Sequence, residues 1–201
     1  MAGKILISTA YLPPVEYFSV ISGAEEIFVE TEENYIKQTY RNRCYILSAH
    51  GLQLLSVPVF LGSLHKTLIK DIRIDYSKRW QQVHLGAMTA SYNSSPYFEF
   101  YYERIEKVVS GNYEFLIDLN MELAEVILEI LNLKKKLFYT SVFEPVGNKT
   151  QDYRYNITPK KESGFSEKKH PQVFNTGDGF VPRLSVMDLI FNAGPEACNY
   201  L

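Results

Sequence analysis

Two short strand-like runs, "KILIS" (Lys4–Ser8) and "EEIFVE" (Glu25–Glu30), flank a segment that opens on Pro13-Pro14 and closes at Gly23. Between them Val15, Tyr17, Phe18 and Ile21 recur with helical spacing. Proline suits the first turn of a helix, where its missing N–H has no intrahelical partner, and glycine suits the residue after the last turn. Strand, helix and strand within about thirty residues make a βαβ unit. Strands joined that way run parallel, so the opening directs the chain to an α/β fold with a parallel or mixed sheet.

The remainder fits around that start. "RCYILSAHGLQLLSVPVF" (Arg43–Phe60) reads as a hairpin turning at "AHG", with Pro58 limiting its second strand, and "DIRID" (Asp71–Asp75) as another short strand. The period then changes. Trp80, Val83, Ala87, Met88 and Tyr92 fall on one helical face, and "SSP" ends that helix and opens the next, with Ser95 as cap and Pro96 just inside it. Leu119, Leu123, Val126, Ile130 and Leu133 form the stripe of a third helix, and "KKKLFYTSVF" (Lys134–Phe143) returns to strand. Residues 144–183 are polar, rich in Pro, Gly and Tyr, and too long for an ordinary connection, which marks them as functional or mobile; "NTGDGF" (Asn175–Phe180) within them has turn chemistry. A terminal helix follows, capped by Ser185. The expected organisation is one unit over 1–201: βαβ and hairpin in 1–78, helices in 79–133, an irregular stretch in 144–183 and a terminal helix in 184–194.

Composition removes several functional classes. A net charge of −2 without a long basic block disfavours a dedicated nucleic-acid binder. No segment reaches the roughly 20 apolar residues that span a bilayer, and the apolar start is too short for a secretory core, so the expected location is cytoplasmic. Cys44 and Cys198 lack CxxC spacing, and His50, His65, His84 and His170 lack helical ligand spacing, so no metal site is expected.

One cluster stands out against the mild acidity: "KQTYRNRCYIL" (Lys37–Leu47) gathers Lys37, Arg41 and Arg43 around Asn42 where a strand starts. If that strand includes both arginines, their side chains share a face roughly 6.5–7 Å apart. Guanidinium forks at that distance suit the oxygens of a phosphate or diphosphate. The alternative is a solvated edge blunted by charge. The "TAYLPP" turn, with Tyr11, adds a helix N-terminus at the carboxyl end of the first strand, without the glycines of a dinucleotide or P-loop fingerprint. His84 is either a hydrogen-bonded core residue or a general acid/base at a pocket wall.

"YLPPVEYFSVI", "YIKQTYRNRCYI" with "LSVPV", "WQQVHLGAMTASYNSSPYFEFY" and the tail "PQVF…GFVPRLSVMDLIFNAGP" together resemble the WbqC-like protein family of bacteria. The matching positions are Lys37, Arg41, Asn42, Arg43, Trp80 and His84, while Arg183 stands where the resemblance implies asparagine. The resemblance implies a link to surface polysaccharide and O-antigen biosynthesis and carries no established reaction or catalytic set. Two readings follow. In one the chain is a transferase for an anionic activated donor, with Arg41, Arg43, Asn42 and Lys37 binding the anion, Tyr11 beside them and His84 as general base. In the other, a non-catalytic ligand-binding or assembly protein uses the same cations. The residues name no cofactor, and a homodimer is the default assembly.

Overall fold

A computed structural model describes residues 2–60, 67–145, 151–174 and 179–201. In chain order the elements are β1 (Ala2–Ser8), α1 (Val15–Gly23), β2 (Ala24–Glu30), β3 (Arg43–Ser48), β4 (Gly51–Ser56), α2 (Trp80–Tyr92), α3 (Phe98–Val109), α4 (Leu116–Ile130), β5 (Leu137–Tyr139), β6 (Gln151–Asp152) and α5 (Val186–Ala193). The α/β architecture is the expected one, with the two kinds of strand pairing divided between two sheets. A four-stranded parallel sheet has the order β5-β2-β1-β6, and β3 and β4 form a separate antiparallel pair. Among the described residues no helix is long and apolar enough to cross a membrane.

The βαβ unit forms as its sequence dictates. β1 and β2 pair from Ala2↔Ala24 to Ser8↔Glu30, and Ile5, Ile7, Ile27 and Val29 turn one apolar face into the core. Pro14 sits at the N-cap of α1 rather than inside the helix, and the turn before it places Leu12 at φ 42. The hairpin turns as expected, with Gly51 at φ 98 supplying the left-handed residue.

Three local expectations change. "DIRID" is not a strand: Ile69–Asp71 is a 3-10 turn, Ile72 caps it, and Arg73 and Ile74 then bridge in different directions, Arg73 to Phe115 and Ile74 to Val59, so no ladder can continue. On α2 the buried face is Trp80, His84, Met88, Ser91 and Tyr92, whereas Val83 is 61% exposed. The helix expected to be capped by Ser95, α3, starts later, after Ser95-Pro96, because the Tyr97 N–H is taken by the Phe191 carbonyl of α5 at 3.0 Å and the Ser95 hydroxyl caps nothing.

All eight residues of α5 are buried, which makes this helix a central core element rather than a docked end. Its N-cap Ser185 accepts from the Met187 N–H at 3.4 Å, as expected, and Gly194 ends it at φ 54. A β-carbon on Gly194 would stand 2.5 Å from the Tyr97 ring, so glycine is required there by packing as well as by conformation. The turn expected over Asn175–Phe180 lies mostly outside the described residues.

Candidate functional site

The four parallel strands deliver their carboxyl ends to one region: β1 at Ser8, β2 at Glu30, β5 at Tyr139 and β6 at Asp152. In open α/β sheets ligands bind at these ends. Thr140 locks the β2–β5 seam. Its hydroxyl accepts from the Thr31 N–H at 3.1 Å and donates to Glu30 Oε1 at 2.6 Å.

A buried ion network lies at this seam. Arg41 forks onto Glu33, Nε to Oε1 at 2.8 Å and Nη2 to Oε2 at 2.7 Å. Arg154 donates Nη1 to Glu30 Oε2 at 2.7 Å and Nη2 to Asp152 Oδ2 at 2.6 Å, and its guanidinium lies 5.0 Å from the Phe143 ring and 5.5 Å from that of Tyr155. Glu30, Glu33, Arg41 and Arg154 are at most 2% exposed. Burial raises the Glu33 carboxyl pKa even against the pull of Arg41. For Arg154 burial works downward, but the hydrogen bonds and charge of Asp152, with Glu30 behind, hold the guanidinium above its ordinary value. Three carboxylates on two guanidiniums make this network a rigid foundation, because its cations already have their counter-charges.

Residues 153–165 run on from the end of β6 as a strap tied to β1 through the Tyr153 N–H and the Leu6 carbonyl, to β2 through Arg154 and Glu30, and to α1 through Ser163 and Glu16. Lys160 donates its ammonium to the Lys37 carbonyl at 2.8 Å, and Arg183 donates to the carbonyls of Lys161 and Thr158 at 2.8 and 2.6 Å. Between the strap and the loop of Ile36–Arg41 lies a cleft of about 180 Å³. Arg41, Arg154, Lys160 and Lys161 line it, with Ile36, Thr39, Tyr155 and Thr158, so four of its eight described lining residues are cationic and none is acidic. The carboxylates that neutralise the arginines sit behind the wall, while Lys160 keeps ammonium hydrogens beyond the one given to Lys37. Tyr155 and Ile36 supply apolar flanks.

The structure divides the predicted residues among three places. Arg41 reaches the cleft, and Lys37 meets Lys160 through its carbonyl. The strand expected to carry both arginines holds one of them: β3 begins at Arg43, and Arg41 lies before it in a turn, its backbone carbonyl held by the Asn120 amide at 2.8 Å. Asn42 spends its amide on the Val57 carbonyl at 2.9 Å, fastening the foot of the hairpin. Arg43 is partly buried on β3, opposite Ser56.

Tyr11 and His84 do come together, but inside the core. The Tyr11 hydroxyl lies 2.8 Å from His84 Nδ1, with Trp80 packed edge-on to both rings. His84 is 3% exposed; burial lowers its pKa to about 4, with the Ser56 backbone working the other way. Burial, and then Cys44, push the Tyr11 pKa well above the phenol range, so the pair is a neutral tyrosine beside a neutral imidazole. His84 is not among the described residues that line the cleft Arg41 enters. Cys44 is fully buried, and burial raises its thiol pKa far from nucleophilic use.

Sequence reasoning missed Glu30, Glu33, Arg154, Lys160 and Lys161. "DYRY" and "PKK" lie in the aperiodic stretch, where charge alternating with aromatics was a signal without an element to place it on. The buried His170–Asp188 contact, Nε2 to Oδ2 at 2.8 Å, was equally invisible.

The fold and site define a parallel α/β protein with a cationic cleft at its strand ends. The model of the WbqC-like protein family matches residues 9–164, and the chain belongs to that family. The match includes the βα loop, the cationic cluster, α2 and the strap as far as Gly164. The chain is also similar to "Uncharacterized protein Rv1507c" of Mycobacterium tuberculosis, at 24% identity, covering 98% of this chain and 96% of that protein. No solved structure matches the chain.

Proposed function

We propose that this WbqC-like protein holds the anionic end of an activated small molecule in the Arg154–Lys161 cleft, acting as a cytoplasmic transferase in bacterial surface polysaccharide biosynthesis. One observation carries the anion: four cationic side chains line a small cleft without an acidic one among the described lining residues. Its volume of about 180 Å³ is below the roughly 300–1,000 Å³ of pockets that enclose whole ligands, so it suits a phosphate or carboxylate head with the rest extending outward. Lys160 and Lys161 are the contacting cations, and the carboxylate-paired Arg154 and Arg41 form the fixed wall behind them. The polysaccharide link rests on the family resemblance.

His84 is a structural residue in this reading: with Tyr11 it pins the βα loop to α2. That placement also favours a second reading, a non-catalytic ligand-binding or assembly protein, because the imidazole does not reach the cleft.

Thermal-shift titration with a nucleotide sugar such as UDP-glucose tests the site. The wild-type chain is stabilised, Lys160→Ala/Lys161→Ala weakens binding about tenfold or more, as expected for loss of charge-assisted hydrogen bonds, and Arg43→Ala leaves it unchanged. Loss of binding in Arg43→Ala with retention in the lysine double variant would move the site to β3. Turnover of a bound donor separates the transferase from the binding protein.

A further inference from the structure

A second cleft, of about 480 Å³, adjoins the first and shares Lys161 with it. Its chemistry is the opposite. Glu16 and Glu162 line it, with Asn156 and Ser163 as neutral polar groups and Val20 and Phe165 as apolar walls. Glu16 stands in the first turn of α1, where the helix dipole alone would favour a carboxylate in water, yet it is only 9% exposed. The Ser163 hydroxyl donates to Glu16 Oε1, while Glu16 Oε2 is covered and has no hydrogen-bond partner among the described residues. A buried carboxylate oxygen left unpaired is costly, and a cationic donor with several hydrogens offsets that cost best.

From this juxtaposition, and resting on the anion-binding reading above, we infer that the ligand is an amino-sugar phosphate: its phosphate in the cationic cleft, its ammonium group at Glu16. Phe165 and Val20 then face the apolar side of the sugar ring, and Lys161 stands between the two halves. A primary ammonium brings three charged hydrogens to a cleft lined by two carboxylates, whereas a hydroxyl in its place offers one neutral hydrogen.

Calorimetric titration of the full chain with inorganic pyrophosphate, glucose 6-phosphate and glucosamine 6-phosphate tests this. The expected result is that all three bind and that glucosamine 6-phosphate binds at least about tenfold tighter than glucose 6-phosphate. In Glu16→Gln that preference disappears while glucose 6-phosphate binds as before. Glu162→Gln, at an exposed position that the fold tolerates, reduces the preference by about half or more. Equal affinity for the two sugar phosphates in the wild-type chain, or a preference that survives Glu16→Gln, overturns the amino-sugar assignment and leaves the anion site standing. Failure of all three probes to bind overturns both.

Discussion

His84 shows how a single side chain can carry family likeness and a structural duty at once. Its buried imidazole titrates at about 4 in the folded chain against 6.5 when unfolded. The unfolded chain therefore takes up the proton first as pH falls. The stabilising contribution is complete above pH 6.5, declines from there to about 4, and is gone below that. At about 1.36 kcal/mol per pKa unit the full loss is ~3 kcal/mol. Urea unfolding from pH 7 to pH 4 should show this component in the wild-type chain and not in His84→Gln; parallel pH profiles would contradict the burial assigned to His84. Arg183 makes a related point. It lies at φ 65, left-handed backbone that favours asparagine, the residue the family resemblance implies there. Here arginine accepts the strain, and its guanidinium fastens the strap through Lys161 and Thr158.

At the scale of elements, what could be read from the sequence was what periodicity and punctuation encode. The βαβ unit, the hairpin, the helices and the Ser185 cap all rest on neighbours within a few residues. β6 did not: two residues, Gln151 and Asp152, are strand only because β1 offers Ile5 and Leu6 as parallel partners. Tertiary hydrogen bonding likewise displaced the start of α3 and dissolved the "DIRID" strand. The strap depends on the same long-range logic, since Arg154 joins β6 to Glu30 of β2 across 124 residues. Removing one partner of so buried a network leaves uncompensated charge, for which roughly 3–5 kcal/mol is typical. Arg154→Leu is therefore expected to lower unfolding free energy by about that amount, while Arg73→Ala, whose pair with Glu114 is 62% and 55% exposed, changes it by less than about 1 kcal/mol. Equal effects in denaturant melts would mean that the network is not the foundation described here.

At the scale of the whole molecule, the cationic cluster of the sequence supplies, through Arg41, half of the proposed site. Arg41 was legible as a cation near the first crossover, but its carboxylate partner could not be inferred from strand spacing, and without Glu33 it looked free. The other half comes from Lys160 and Lys161, more than a hundred residues later and inside a stretch whose only legible property was irregularity. The parallel sheet brings the halves together by directing every strand end to one edge, and the strap closes over them. Hydrogen–deuterium exchange of the full chain with and without UDP-glucose tests that arrangement most directly. Binding at the cleft predicts slowed exchange in residues 36–41 and 153–161 together, with β3 and α2 unchanged. Protection confined to β3 or α2, with the strap exchanging as before, would contradict it.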